Sequence, residues 1–369
     1  MIGMPKIHVA FENAAQAVMT RAKKGVVGVL VRDTKAQGVY TITDEEQIPS
    51  TLGETNQTYV ARALMGSDRG RPTKLVLVVF APAAEGETGT ASLTEALELL
   101  NGKAVDYLAG PLDATQAEVG AIKDFVVAYR KSNPTLQAVL PNCAADDRGI
   151  INYTSTVHVG NATFTPAQYC SRIAGALAGV PTTASATCLA LPEVTGVNTL
   201  DVTDKTEAEA REAAIAAGEL IVVHDGVSAW IARGVNSLTT LKAGEAESLK
   251  KIKVTEGEGL LHYYTVQAIR EGYMGKRVNS YDNRALLVVE LQEMYAKLES
   301  QGVLLPGTSG AEIDVEAQRK YMEDAGVDCS DMDDDQIRQY ENLADHVFIR
   351  AWGSFADTME LFEIRVNRV

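Results

Sequence analysis

The sequence predicts an α/β fold, α+β over the whole chain: an open α/β core, then a C-terminal α+β domain, with extended strand arms at the two ends. Between residues 75 and 140, short apolar runs alternate with segments of helical period, the order of an open sheet with right-handed crossovers. Beyond residue 240 the pattern changes to two long helix candidates and scattered short strands. At both termini apolar and polar residues alternate, as in strands with one covered face.

The first strand of the core, Leu75 to Phe80, reads Leu-Val-Leu-Val-Val-Phe, a run suited to burial on both faces. Ser92 and Glu95 have capping-box spacing, and Leu93, Ala96, Leu97 and Leu100 fall on one helical face. Val105 to Ala109 is a second strand. Asp113 and Gln116 repeat the cap spacing before Ile122, Phe125, Val126 and Tyr129, and Asn133-Pro134 ends that helix. Leu136 to Leu140 is the third strand.

From Tyr153 the elements are mixed. Thr156 to Val159 is a strand, Pro166 to Leu177 a helix of small residues, and Glu207 to Ala217 an Ala-rich helix. Leu220 to Val223 and Val227 to Ala232 flank His224-Asp225-Gly226 and form a hairpin. Gly257 to Met274 and Asp282 to Ser300 are helices, the second carrying Leu287, Leu291, Met294 and Leu298 on one stripe and stopping at Gly302. Gly307 to Asp335 reads as an acidic, loop-rich stretch, and His346 to Ala351 and Met359 to Val369 as strands. The domain limits that follow are 1–24, an N-terminal arm; 25–240, the core; 241–358, the C-terminal domain; and 359–369, a C-terminal arm strand.

With 369 residues, 46% apolar and 22% charged, the chain has material for two or three domains and lies away from the composition of disorder. A formal charge of -15 repels a phosphate backbone, which argues against nucleic acid as a direct partner. Met1 to Lys6 has no basic segment leading into an apolar core, and the longest apolar run, Leu75 to Ala84, is half of the roughly 20 residues that span a bilayer. The expectation is a soluble protein with neither a cleaved signal nor membrane insertion. Cys143, Cys170, Cys188 and Cys329 have no CxxC spacing and no histidine at ligand distance in sequence, so they are expected to be reduced, structural thiols.

An α/β sheet holds ligands at the carboxyl ends of its strands. Ala81 to Glu87 carries Pro82, Glu85 and Glu87 and a single useful glycine, Gly86, which matches no phosphate loop. Glu85, Asp113, Asp146 and Asp147 all follow strand ends and could converge on Mg²⁺, giving a metal-dependent α/β hydrolase as the alternative function. Against it, Asp113 fits an N-cap and Asp146-Asp-Arg-Gly149 a solvated turn.

Asp331, Asp333 and Asp335 begin like a calcium loop, but Gln336 and Asn342 stand where glycine and glutamate are needed, so helix capping before Ile337 is preferred. His8, His158, His224, His262 and His346 are scattered, Ser309 sits in a turn sequence, and no nucleophile elbow occurs. No catalytic, cofactor or metal residue is assigned.

Ile7, Val9 and Phe11 at one end, and Phe362, Ile364 and Val366 at the other, are the apolar positions of the two terminal strands. Such strands can pair within their own chain or complete a neighbour's sheet, and the residues alone leave both open. A head-to-tail contact of the second kind builds a ring or an open helix.

Arg172-Ile-Ala-Gly-Ala-Leu-Ala-Gly179, Leu191-Pro-Glu-Val194, Arg233-Gly-Val-Asn-Ser-Leu-Thr240, Lys250-Lys-Ile-Lys-Val254 and Tyr281-Asp-Asn283, with their spacing, resemble tail sheath proteins of contractile phages, especially those of defective prophages and R-type bacteriocins of Gram-positive bacteria. The likeness covers about residue 150 to the end. Pro5-Lys-Ile-His-Val9 and Lys24-Gly-Val-Val-Gly-Val-Leu30 are similar to the family start. The resemblance implies a structural subunit, not an enzyme, with a C-terminal sheath domain. It also implies stacked hexameric rings around a tail tube, with baseplate and tail-terminator partners. Terminal arms would donate strands to adjacent subunits through Ile7, Val9, Phe11, Phe362, Ile364 and Val366. Assembly would take place in the host bacterial cytoplasm. The short chain implies few or no outer insertion domains.

Overall fold

The computed structural model describes residues 25–83, 89–198, 200, 206–361 and 363. They form two compact units, one of residues 25–259 with 357–361 and 363, the other of residues 260–356. The division at Gly259/Leu260 falls inside a helix, whereas the composition change in the sequence lies near residue 240.

The larger unit contains, in order, β1 (Val26–Arg32), β2 (Gly38–Ile42), α1 (Glu54–Leu64), β3 (Lys74–Phe80), α2 (Gly89–Glu98), β4 (Tyr107–Ala109) and α3 (Gln116–Tyr129). It continues with β5 (Gln137–Pro141), β6 (Ile150–Tyr153), β7 (Val157–Val159), β8 (Ala162–Phe164) and α4 (Pro166–Ala178). Then come β9 (Gly196–Val197), α5 (Glu207–Ala216), β10 (Glu219–Leu220), β11 (Val222–His224) and β12 (Ala229–Ile231). Seven strands form one sheet in the order β10-β6-β5-β4-β1-β3-β2. It is parallel except for β2, which pairs antiparallel to β3 at the edge.

Strand alternation divides the core. Val27, Val29 and Val31 of β1 pack with Tyr59 and Val60 of α1 and with Ile173 and Leu177 of α4. Leu30 and the β3 residues Val76 and Val78 pack with Leu93 and Leu97 of α2 and with Ile122 and Val126 of α3. The strand-helix-strand-helix-strand order predicted for 75–140 is therefore present, with helices on both faces of the sheet. β1, β2 and α1 had been assigned no element. In β1 a glycine, Gly28, interrupts the apolar run, and α1 buries only Tyr59, Val60 and Ala63 on a polar sequence.

Two cap assignments are corrected. α3 is capped by Thr115 with Glu118, one capping box displaced from the predicted Asp113 and Gln116. α2 begins at Gly89, so Ser92 lies within it and donates to Gly89 O at 3.2 Å. The predicted hairpin forms as β11 and β12, with Asp225 Oδ1 accepting from Val227 N and Ser228 N in the turn.

Helix α6 (Ile252–Gly272) starts five residues earlier than its apolar pattern suggests. In the smaller unit follow α7 (Tyr281–Ser300), β13 (Gly310–Ile313), α8 (Val315–Asp324), α9 (Asp334–Gln339) and β14 (Ile349–Trp352). The predicted stripe Leu287, Leu291, Met294 and Leu298 is buried with Tyr264, Val303 and Leu304. α7 ends as expected at Gly302, whose φ of 68° lets Val303 N reach Leu298 O at 3.0 Å. The stretch 307–335 is not all loop. It holds β13 and α8, whose buried side are Gln318 and Met322. Asp333 caps α9, accepting from Gln336 N at 2.8 Å, as the sequence predicts. β13 and β14 pair antiparallel as a two-stranded sheet. No described helix is long and apolar enough to cross a membrane.

Candidate functional site

At the carboxyl end of β1, the place where this sheet would hold a ligand, Arg32 pairs with Asp113 Oδ2 at 2.9 Å and with Glu118, and its guanidinium lies 5.5 Å from the centre of the Phe80 ring. Charge that could bind an anion is thus neutralised from within. Glu118 in turn accepts from Thr115 N at 2.8 Å, so one carboxylate serves as ion-pair partner and helix cap. A groove of about 300 Å³ near the same edge is lined by Glu54, Thr58, Tyr59, Arg62, Phe164 and Gln168 among others. Arg62 stacks on Phe164 at 3.7 Å, and no histidine or cysteine reaches the groove.

The carboxylates of the hydrolase alternative are not brought together. Asp146 Oδ1 accepts from Thr239 N at 2.7 Å, Thr240 N at 2.8 Å and Thr239 Oγ1 at 2.9 Å, bonds that hold its carboxyl far below the usual range. Asp147 Oδ1 accepts from Gly149 N at 2.7 Å. Asp146 thus closes the loop onto the segment after β12 through its carboxylate, and Asp147 does so through its backbone, whose carbonyl accepts from Ser237 Oγ at 2.8 Å. Glu85 lies outside the described residues. Among the described residues no group of three or more His, Cys, Asp and Glu could hold a metal ion. Mg²⁺ or Ca²⁺ titrated into the protein should accordingly leave its melting temperature flat. A saturable rise, lost in Asp146→Ala, would establish a site that binds the native state.

The sequence motifs prove to be architectural. Arg172 of α4 is 2% exposed and donates from Nε to Glu193 Oε1 at 2.6 Å, from Nη2 to Glu193 Oε2 at 3.2 Å and from Nη1 to Gly66 O at 2.6 Å. Tyr169 OH donates to the same Glu193 Oε1 at 2.5 Å. Burial by itself would raise the Glu193 carboxyl. The hydrogen bonds and charge of Arg172, with the Tyr169 hydroxyl, outweigh it and hold the carboxyl below its ordinary value. Leu191-Pro-Glu-Val194 and the start of the Arg172 motif are therefore one interaction. Asn236 Nδ2 donates to Leu249 O at 2.8 Å and to Thr255 Oγ1 at 3.0 Å, tying the Arg233 motif to the start of α6. Asn283 belongs to the first turn of α7, where its N–H donates to the cap Ser280 Oγ at 3.3 Å.

Arg233 and Lys251, from the two remaining basic motifs, converge on Glu360, which no sequence signal had singled out. Glu360 accepts from Thr187 Oγ1 at 2.8 Å, Thr358 Oγ1 at 3.1 Å, Lys251 Nζ at 3.1 Å, Ser185 Oγ at 3.2 Å and Arg233 Nε at 3.3 Å. Burial would raise this carboxyl also, but the Thr187 and Lys251 bonds and the Lys251 charge keep it below its ordinary value. Cys143, Cys170 and Cys329 are buried, as structural thiols should be, while Cys188 is exposed. The candidate arm residues Ile7, Val9, Phe11, Phe362, Ile364 and Val366 lie outside the described residues. So does most of the strand expected at Met359 to Val369, of which residues 359–361 are not in a strand.

The buried charges of the larger unit, Arg172 with Glu193 and Arg233 and Lys251 with Glu360, are spent on joining its own elements. Residues 86–237 match the family described as phage tail sheath protein central domain. A tail sheath protein of Clostridium phage phiCD119 is 31% identical over 372 residues, covering 100% of both chains. The chain belongs to the phage tail sheath protein family, and it is a structural protein, not an enzyme. The same fold occurs in the sheath tail protein from Listeria innocua (TM-score 0.67, 13% identity, 95% of this chain and 99% of that one). It also occurs in the helical sheath of the anti-feeding prophage in its contracted state (TM-score 0.66, 13% identity, 93% of each chain).

Proposed function

We propose that this subunit stacks as hexameric rings around a tail tube, its terminal segments completing sheets of adjacent subunits, and that the sheath shortens to drive the tube through a target envelope. The observation that carries the reading is the β13/β14 sheet. It has only two strands, and among the described residues no further strand pairs with either; β13 leans on α7 instead, where Gln292 Nε2 donates to Ala311 O at 2.8 Å. Strands from outside would extend the sheet through main-chain hydrogen bonds. The alternating termini are segments of the right kind. Shortening requires two packings of the subunits separated by a barrier, with the joints held throughout. Partners on this reading are further copies of the chain, a tail tube protein, a baseplate and a tail terminator, assembled in the bacterial cytoplasm without a cofactor.

The purified chain is expected to form long tubes in negative stain. Deleting residues 362–369 should leave the circular dichroism spectrum and melting temperature near those of the full chain and abolish the tubes. Ile364→Pro should act in the same direction, because proline removes a ladder donor. A truncated protein that still builds ordinary tubes would refute the strand exchange. A closed dimer from the full chain at every concentration would refute the polymer.

A further inference from the structure

We propose that Glu360 and its socket are an anchor that fixes where the C-terminal segment leaves the body and which face it turns outward, presenting Met359 and Leu361 to a second copy of this chain. The anchor rests on the reading that the terminal segment joins subunits.

The geometry is that of a built site. The Glu360 side chain is 7% exposed and meets four hydroxyl or cationic groups of the body, Ser185 Oγ, Thr187 Oγ1, Lys251 Nζ and Arg233 Nε. Its neighbour Asp357 accepts from the same Lys251 Nζ at 2.5 Å, so two carboxylates of the segment grip one ammonium. Residues on either side of Glu360 point the other way. Met359 and Leu361 are each 85% exposed, large apolar side chains that the chain's own fold leaves in water. Alternation in an extended segment puts successive side chains on opposite sides, so seating Glu360 turns its neighbours outward. The apolar positions expected at Phe362, Ile364 and Val366 continue directly from this point. A second copy is the occupant because the chain belongs to a sheath family and the exposed pair is continuous with the segment proposed to cross between subunits.

An anchor also serves mechanics. If subunit bodies turn while the segments remain joined, a strand attached through a free linker would absorb the turn, whereas one held at its root passes it on. The inward carboxylate has hydrogen bonds to hydroxyls and cations, and removing it leaves Lys251 with Asp357 alone.

The test uses the full chain, Glu360→Ala and Glu360→Gln, with Lys251→Met approaching the same contact from the body. In the unassembled subunit, carboxypeptidase trimming past Thr358 should be faster in Glu360→Ala by roughly one to two orders of magnitude, the factor expected for losing hydrogen bonds to a charged group. Glu360→Gln should be intermediate, and Lys251→Met should also accelerate. With unchanged far-ultraviolet circular dichroism, Glu360→Ala should give few or irregular tubes. Trimming at the rate of the unaltered chain in both Glu360→Ala and Lys251→Met would overturn the anchor, as would fast trimming with normal tubes. The deletion of residues 362–369 separates the two ideas: tubes lost there but normal in Glu360→Ala sink the anchor alone, and tubes normal in the deletion sink the strand exchange on which it rests.

Discussion

Replacing Arg172 by methionine is expected to destabilise the larger unit by about 3–5 kcal/mol at neutral pH, the range for breaking a buried pair from one side. The change keeps most of the side-chain volume. What it removes is the bidentate partner of Glu193 and the donor to Gly66 O. Glu193, whose side chain is 17% exposed, is left with Tyr169 OH as its partner. The pH dependence follows from the shift. In the intact protein the Glu193 carboxyl is held below its ordinary value, so the pair contributes stability at pH above the ordinary carboxylate range and loses it as pH falls through the lowered value. In Arg172→Met the largest lowering influences are gone while burial remains, the carboxyl moves up, and it is protonated earlier on acidification. The deficit should therefore be largest near neutrality and shrink below about pH 5. Urea denaturation of both proteins across that range measures it. A deficit that stays constant with pH would remove Glu193 as the cause, and one under 1 kcal/mol would mean that the pair adds little over a packed methionine.

Gly175 gives the second large effect. In the middle of α4 it faces the backbone of α1, where a Cβ would stand 2.7 Å from Ala63 C and 2.9 Å from Ala63 Cα, with Ala63 O nearer still. Alanine would gain about 1 kcal/mol of helix propensity. Against that stands a clash with main-chain atoms that cannot rotate away, so α1 has to move off the sheet. Overpacking of this kind costs about 1–3 kcal/mol for small insertions. A net loss is expected for Gly175→Ala, and no folded protein for Gly175→Leu. Circular dichroism with urea denaturation decides it, and a stabilised Gly175→Ala would show that the two helices have room to separate. Gly179, at the end of the same helix, has a matching approach to Gly70, where a Cβ would lie 2.6 Å from the carbonyl carbon. Small residues are thus needed in Arg172-Ile-Ala-Gly-Ala-Leu-Ala-Gly179 because two backbones touch.

Local pattern sufficed where an element's own residues carry its signal. Leu75 to Phe80 is apolar throughout because both faces of β3 are covered. The stripe on α7 and its Gly302 stop depend on periodicity and one left-handed residue, and Asp333 caps α9 through atoms three residues apart. The cap of α3 lies two residues from the expected one because Asp113 with Gln116 and Thr115 with Glu118 offer the same spacing, and Asp113 pairs instead with Arg32, 81 residues away.

What the sequence by itself determined was the open α/β core, the helices of the C-terminal domain and, through its motifs, the family. Those properties rest on short-range periodicity and on residue types at fixed spacing. Only the tertiary structure decided where β1 lies, between β3 and β4 in the interior of the sheet, because register depends on partners distant in the chain. The same holds for the pairing of Arg172 with Glu193 and for the meeting of Ser185, Thr187, Arg233 and Lys251 around Glu360, which is more than a hundred residues from each of them. A buried charge is stable only where opposite charges and donors surround it. No linear pattern encodes which distant groups will do so.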